Sequence, residues 1–196
     1  AVEAAYKILN GESVEKEIAF LKENRMRGMI LSEGLKTGKL REGITHNDTK
    51  LNNILFGETS NEAQCVIDLD TVMPGTILFD VGDLIRTATI TGEEDEKDIS
   101  KIHFNFELFS ALIKGYVSVA HKFLTDYEKS LLAESGRNIT QIMAVRFITD
   151  YLNGDVYYKV KHPEHNLDRC RTQIAFIQSM DEQWKKVETF ISRCFK

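Results

Sequence analysis

Apolar residues recur mostly at helical spacing along this chain, three or four positions apart. The first part of the chain is predicted to form three helices, over residues 1–9, 13–25 and 29–40. In the second of these, Ser13 is positioned to cap the N-terminus, and Val14, Ile18 and Leu21 share one face. Residues 34–39 resemble a phosphate-binding loop, but the spacing is one residue short and no strand precedes it, so a helix end and turn are predicted.

The second half of the chain is also predicted to be helical. The predicted helices cover residues 102–120, 125–136, about 138–161 and 167–195. The first of these has a long apolar stripe that should face the core. Thr125 and Glu128 have the spacing of a capping box, and Gly136 is the expected end of that helix. The longest helix is interrupted by Gly154 and should end before Pro163.

A different pattern occupies residues 45–83. Two short strands are predicted at residues 53–56 and 64–69, joined by a polar loop over 57–63. Their hairpin would hold Asn53 and Asp68 at the same end. The segment Met73–Gly75 is predicted to be a turn, and a helix should follow over residues 81–89. The fold class is therefore α+β and predominantly helical.

Composition excludes several classes of function. The 196 residues are 42% hydrophobic and 28% charged, with a net charge of −5, which provides no basic surface for nucleic acid or an anionic membrane. Three cysteines without a CxxC pair fit a reducing cytoplasm, and no apolar run reaches the roughly 18 residues of a membrane helix. The acidic run at residues 93–98 is predicted to lie at a solvated helix start, without a function.

One motif carries candidate chemistry, with the spacing H-x-D-x-K-x-x-N of a kinase catalytic loop: His46, Asp48, Lys50 and Asn53. Phosphoryl transfer requires a carboxylate facing the acceptor hydroxyl and oxygen ligands for Mg²⁺. Asp48 would accept the hydroxyl proton, and Asn53 would coordinate Mg²⁺ through its amide oxygen. Asp68, after the next apolar run, would supply a second ligand.

Asp70, two residues further along, is another candidate metal ligand. Each of these residues has an alternative role, because Asp, Thr and Asn also form turns and Asp68 and Asp70 could end a strand facing solvent. The complete set at one spacing favours a functional site. The histidines show no metal-ligand pair spacing, so a zinc site is not expected.

Residues 46–53, 66–75 and 80–86 resemble the aminoglycoside phosphotransferase and choline kinase superfamily, which shares its C-terminal lobe plan with protein kinases. The resemblance implies that ATP is the phosphate donor, that Asp48 is the catalytic base and that Asn53 and Asp68 bind Mg²⁺. Lys50 stands where many members have histidine, and a phosphate contact is expected from it. Asp80 is implied to brace the catalytic loop, although capping of the next helix is equally compatible.

The same resemblance extends to residues 146–158 and 165–173, which are similar to members that phosphorylate N-acetylhexosamines at the anomeric hydroxyl. It implies acceptor-binding residues in the long helix and just after it, namely Arg146, Asp150, Tyr151 and Asp155. A solvated helix face is the alternative for these side chains. An amino sugar is the expected acceptor, and an aminoglycoside, choline or an amino alcohol are the alternatives, as is a non-catalytic binding lobe.

The whole chain, residues 1–196, is therefore expected to be the C-terminal lobe of a kinase-like fold. Residues 1–44 would form leading helices, 45–83 the catalytic loop and metal-binding hairpin, and 84–196 a helical acceptor-binding part. Kinases also use an N-terminal lobe, with a strand lysine and a loop over the phosphates. Neither feature is expected before His46, so this chain alone should fold without turning over substrate.

Overall fold

The computed structural model describes residues 14–60 and 62–196. These residues contain seven α-helices: α1 (Glu15–Glu23), α2 (Arg25–Lys36), α3 (Ile77–Ala88), α4 (Phe106–Ala120), α5 (Asp126–Leu152), α6 (His165–Glu182) and α7 (Trp184–Cys194). They also contain four strands: β1 (Gly43–Thr45), β2 (Ile54–Phe56), β3 (Ala63–Val66) and β4 (Met73–Gly75). The predominantly helical α+β prediction is confirmed at this level. The helix predicted over residues 1–9 and the cap at Ser13 lie outside the described residues.

The strands form two separate antiparallel pairs. In the first pair, β1 lies against β4 with Gly43 opposite Gly75, and in the second, β2 lies against β3 with Ile54 opposite Val66. The prediction of a turn at Met73–Gly75 is wrong, because this segment pairs with a strand about thirty positions earlier. Strand β3 is shorter than predicted because Asp68 has a φ of 64° and a 3-10 turn follows at residues 69–71.

Close packing of α3 against α5 forms the centre of the fold. A Cβ atom at Gly82 would lie 2.5 Å from the carbonyl oxygen of Ser135, and one at Gly136 would lie 2.5 Å from Cγ2 of Ile85. Only glycine at these positions lets the two helices approach so closely. The predicted helix end at Gly136 is therefore wrong. Helix α5 continues through it for 27 residues, because here the glycine serves packing rather than termination.

Helix α5 ends at Leu152, well before the predicted end near Lys161. Gly154 and Asp155 follow with φ values of 89° and 56°, and this left-handed backbone cannot continue a helix. Residues 153–164 therefore form a loop between α5 and α6, and Pro163 ends no helix. The capping box predicted at the start of α5 is confirmed, since the side chains of Thr125 and Glu128 each bond the other's backbone N–H.

Two hydrophobic clusters stabilise the helices. The larger one contains residues of all six helices from α2 through α7. Its fully buried side chains include Leu31, Leu78, Ile85, Phe109, Ile113 and Phe176. The smaller one joins α1, the C-terminal half of α5 and α6 through Leu21, Phe147, Tyr151, Leu167 and Cys170. The predicted core stripe of α4 is confirmed by Phe109 and Ile113, both fully buried. Across the described residues, no helix combines the length and the apolar character that crossing a bilayer requires.

Candidate functional site

The loop after β1 is held from one side by helix α3. The Asp80 carboxylate accepts the backbone N–H of His46 at 3.0 Å and that of Asn47 at 2.7 Å. One helical turn later, the Asp83 carboxylate accepts the backbone N–H of Thr49 at 2.9 Å. Hydrogen bonds to ionised acceptors are stronger than neutral ones, so three successive bonds fix the backbone on both sides of residue 48. The expected brace by Asp80 is present.

The alternative for Asp80, capping of a helix that starts at residue 81, is wrong. Helix α3 begins at Ile77, and the hydroxyl of Thr76 accepts the N–H of Leu78 at its N-terminus. Asp80 thus lies in the first turn of α3, where a negative charge is favourable to the helix dipole. The sequence pattern located the helix too late because its first turn is as apolar as the strand before it.

Asp48 is held in its ionised form. Lys50 donates to Oδ2 of Asp48 at 2.7 Å, and the amide of Asn53 donates to the same oxygen at 2.9 Å. Burial alone would raise the pKa of Asp48, but the hydrogen bonds from Lys50 and Asn53 and the charge of Lys50 together lower it. Both contacts use Oδ2, which leaves Oδ1 to accept a hydrogen bond from a hydroxyl group.

His46 connects this loop to the β2–β3 hairpin. Its Nδ1 accepts the backbone N–H of Asp48 at 3.3 Å, so the ring proton of the neutral side chain lies on Nε2. Nε2 then donates to the carbonyl oxygen of Ile67 at 3.0 Å. The hydroxyl of Thr71 donates to the carbonyl oxygen of His46 at 2.6 Å. These bonds give His46 a positioning role, in which it joins the Asp48 loop to the end of β3.

Two of the three predicted metal ligands, Asn53 and Asp68, lie at the same end of the β2–β3 hairpin. The N–H of Ile67 donates to the carbonyl oxygen of Asn53 at 2.9 Å, and Asp68 is the next residue. The pKa of Lys50 is raised first by its hydrogen bond to Asp48, and the negative charge of Asp68 adds to this. Asp68 therefore lies close to the charged groups of the loop, although it is exposed while Asn53 is buried.

The oxygen atoms at this end of the hairpin fit Mg²⁺. Because the NH₂ group of Asn53 donates to both the carboxylate and the carbonyl oxygen of Asp48, its amide oxygen is the atom left to bind a metal. Mg²⁺ takes hard oxygen ligands and usually binds one or two protein groups together with substrate phosphates. Among the described residues, no three His, Cys, Asp or Glu side chains meet at a common point. Asp70, the third candidate ligand, is exposed in the 3-10 turn that follows Asp68.

Both carboxylates expected to bind an acceptor hold the loop that follows α5. Asp150 accepts the backbone N–H groups of Tyr157 at 2.8 Å and Tyr158 at 2.9 Å, and the amide of Asn166 at 2.9 Å. The amide of Asn166 also donates to Asp155 at 2.8 Å. With its oxygens occupied in this way, Asp150 fixes residues 153–158 against α6. Sequence analysis missed Asn166, because its partners are near in space and not at a helical spacing.

The other two acceptor candidates differ in exposure. Tyr151 is 8% exposed and packs in the smaller hydrophobic cluster, which favours a packing role. Arg146 is exposed, and its guanidinium carbon lies 5.7 Å from the ring centre of Tyr157 and 5.5 Å from that of Tyr158. Tyr157 is itself 72% exposed. Arg146 on α5 and Tyr157 on the loop that Asp150 holds thus form an accessible cation–π pair.

A half-buried, ionised loop carboxylate beside hard oxygen atoms at the end of a hairpin is typical of a phosphoryl-transfer site, in which positioning and electrostatics contribute most of the catalysis. A family model described as the phosphotransferase enzyme family matches residues 8–105, half of the chain, and this match includes both the Asp48 loop and the hairpin. The chain belongs to this family, whose members are kinase-type transferases. The superfamily expected from residues 46–86 is confirmed at this level.

Proposed function

We propose that this chain is the lobe of an ATP-dependent kinase that carries the catalytic base, and that its acceptor is a small molecule with a hydroxyl group. The observation that carries the proposal is the state of Asp48. Its carboxylate is kept ionised by Lys50 and Asn53, which both contact Oδ2, and its loop is fixed by α3. Among the described residues, no donor occupies Oδ1, which can therefore accept a hydrogen bond from a hydroxyl group.

In the proposed reaction, Asp48 accepts the proton as the acceptor O–H bond breaks. The acceptor oxygen forms a bond to the γ-phosphorus of ATP, and the bond from that phosphorus to the ADP oxygen breaks. Lys50 lies beside Asp48 and is the cation available to contact the transferring phosphoryl group. Asn53 and Asp68 would hold Mg²⁺, which supplies positive charge to the phosphates when it is bound.

For the acceptor, we propose an N-acetylhexosamine phosphorylated at its anomeric hydroxyl. The likeness of residues 146–158 and 165–173 to such kinases supports this choice. The exposed pair of Arg146 and Tyr157 adds support, because a guanidinium donates to hydroxyl and acetamide oxygens while a ring offers an apolar face. Choline and aminoglycosides are cations, so they fit a site next to Arg146 less well.

We further propose that a nucleotide-binding lobe packs on the two strand pairs, β1–β4 and β2–β3. Several large apolar side chains there are exposed by 48–72%: Ile44, Leu55, Phe56, Val66, Leu69 and Met73. Exposed apolar surface of this extent is typical of a surface that another unit covers. A lobe at this position would lie beside Asn53 and Asp68, where the proposed chemistry needs the phosphates of ATP.

The decisive experiment replaces the base without changing its shape. In the protein expressed from its complete coding sequence, Asp48→Asn should lower kcat by about 100-fold or more, the scale of a positioned acid or base, with the native circular dichroism spectrum retained. The control is Glu58→Gln, which removes the same charge from the exposed loop between β2 and β3. Turnover within a few-fold of the unmodified enzyme for Asp48→Asn would remove Asp48 from the mechanism. A panel of N-acetylhexosamines, choline and an aminoglycoside, measured by ADP release, decides the acceptor.

A further inference from the structure

The acidic run at residues 93–98 makes contacts that the sequence analysis did not predict. No α-helix begins there; Asp98 caps a 3-10 turn at Ile99–Lys101 through its bond from the N–H of Ser100. In addition, Glu94 makes an ion pair with Arg169 and Asp95 makes one with Lys161, both more than sixty positions later in the sequence. The predicted helix start is therefore only a short 3-10 turn with Asp98 as its cap, and the run also connects α3 to α6 through Glu94.

Glu94 pairs with an arginine from each of these helices. Its Oε1 lies 3.0 Å from Nη1 of Arg86 on α3, and its Oε2 lies 3.8 Å from Nε of Arg169 on α6. The contact with Arg86 is a hydrogen bond, whereas the contact with Arg169 is an ion pair that is longer than a hydrogen bond.

The α3 end of this connection reaches the loop of Asp48. Arg86 contacts Oδ1 of Asp83 through Nε at 3.0 Å and through Nη2 at 2.9 Å. The other oxygen of Asp83 accepts the backbone N–H of Thr49, the residue that follows Asp48. Glu94 is therefore linked to the Asp48 loop through Arg86 and Asp83.

The α6 end reaches the loop between α5 and α6. Arg169 donates through Nη1 to Oδ1 of Asn166 at 3.0 Å and to the carbonyl oxygen of Lys159 at 3.4 Å. Asn166 in turn donates to Asp150 and Asp155, which fix residues 153–158. Tyr157, the aromatic partner of Arg146, belongs to that same loop, so Arg169 contacts the loop that carries it.

The two arginines that Glu94 contacts are largely buried, so their charges depend on nearby carboxylates for compensation. The side chains of Arg86 and Arg169 are only 10% and 16% exposed, whereas that of Glu94 is 42% exposed. Burial would lower the pKa of Arg86, but the charges of Asp83 and Glu94 outweigh it and raise the pKa, so the guanidinium stays charged. Loss of Glu94 would leave two largely buried cations near each other with less compensation, which costs more than loss of a surface ion pair.

We propose that Glu94 is a positioning residue that couples the Asp48 loop, residues 46–50, to the acceptor loop, residues 153–161. Its effect on catalysis rests on the function proposed above, but the mechanical coupling does not. Removal of Glu94 should loosen both loops at once, although they are separated by more than a hundred positions in the sequence.

Hydrogen exchange of the 196-residue chain, followed by mass spectrometry, tests the coupling directly. Glu94→Gln should raise amide exchange on the order of threefold to tenfold in both residues 46–50 and residues 153–161. The matched control is Glu93→Gln, which removes the same charge from the neighbouring exposed residue and should leave both loops unchanged. An increase confined to residues 93–98, or an equal increase in the control, would overturn the coupling.

Kinetics of the complete enzyme test the positioning role. Glu94→Gln should raise KM for the acceptor and lower kcat, each several-fold, while KM for ATP stays within about twofold. Glu94→Asp should restore part of this loss. Unchanged acceptor KM and kcat in Glu94→Gln would overturn the role of Glu94 in positioning. An unmodified enzyme that transfers no phosphate would instead refute the proposed function, and the exchange experiment alone would then decide the coupling.

Discussion

Lys50 and Asn53 share one oxygen of the Asp48 carboxylate, and this arrangement determines the charge of the candidate base. A carboxylate with a lowered pKa is a weak proton acceptor but an excellent partner for orienting a hydroxyl. That balance suits phosphoryl transfer, where positioning contributes more than covalent chemistry. At the scale of the residue, the pKa of Asp48 is thus the quantity to measure.

Replacing Lys50 should change that pKa in a known direction. In Lys50→Met the burial of Asp48 is opposed only by its other partners, so the pKa of Asp48 should rise. Because the ionised carboxylate is the active form, the acid limb of the kcat–pH profile should move to higher pH. A carbon-13 NMR titration of the Asp48 carboxyl in the 196-residue chain measures the same shift without turnover.

The same substitution has a consequence for stability. A carboxyl whose pKa is lowered on folding adds stability above its unfolded pKa, and this stability disappears as the pH falls through the folded pKa. Lys50→Met should therefore destabilise the chain at neutral pH and much less in acid. Lys36→Met, at a side chain 77% exposed on α2, is the control and should leave the titration unchanged. An unaltered Asp48 titration in Lys50→Met would contradict this account.

Helix α3 is the element on which the site depends. One end of it presents Asp80 and Asp83, which are three positions apart and so face the same loop. Its opposite face packs on α5 through Gly82 and Gly136. The packing of α3 against α5 therefore determines where the Asp48 loop lies relative to the helices that carry the acceptor candidates.

Two glycine substitutions should have opposite effects. Gly136→Ala places a methyl group against Ile85, so overpacking should lower the free energy of unfolding by about 1–3 kcal/mol. Gly115→Ala, on the exposed side of α4 with no atom within 4 Å of the new Cβ, should raise it by about 0.5–1 kcal/mol. Urea denaturation measures both. Helix propensity alone predicts stabilisation at both positions, so a stabilised Gly136→Ala would show that the α3–α5 contact is not tight.

At the scale of the whole molecule, two hydrophobic clusters meet along α5, which contributes to both. The described residues can therefore fold around their own core. The candidate metal site offers Mg²⁺ two side-chain oxygens, from Asn53 and Asp68, so the ion would depend on phosphates and water for the rest of its ligands. Nucleotide affinity is consequently the property expected to require the additional lobe proposed above.

Thermal unfolding with MgATP tests this expectation. The 196-residue chain should unfold cooperatively, and its Tm should not change at millimolar MgATP, because a ligand stabilises only well above its Kd. The complete enzyme should show an upward shift of Tm that Asp68→Asn abolishes. An upward shift in the 196-residue chain, also abolished by Asp68→Asn, would mean that the nucleotide site is already complete within it.

The amino-acid sequence by itself determined the features that depend on near neighbours. Apolar periodicity predicted helices in the regions of α4 to α7, although it divided α5 in two, and it predicted the hairpin of β2 and β3, because local spacing decides which face of an element is apolar. The capping box at Thr125 and Glu128 followed from four consecutive residues. The motif from His46 to Asn53 was visible for the same reason, and it indicated the family that the comparison then showed.

Only the tertiary structure decided the features that depend on distant partners. The termination expected at Gly136 failed because the residue packs against Ile85, some fifty positions earlier. The Asp150 carboxylate accepts hydrogen bonds from backbone N–H groups of the loop that follows α5. Glu94 makes an ion pair with Arg169 on α6. Glycine, carboxylates and arginines have many possible partners, and local sequence does not choose among them. The choice is made when the helices pack, because burial then requires each polar group and each charge to find a partner.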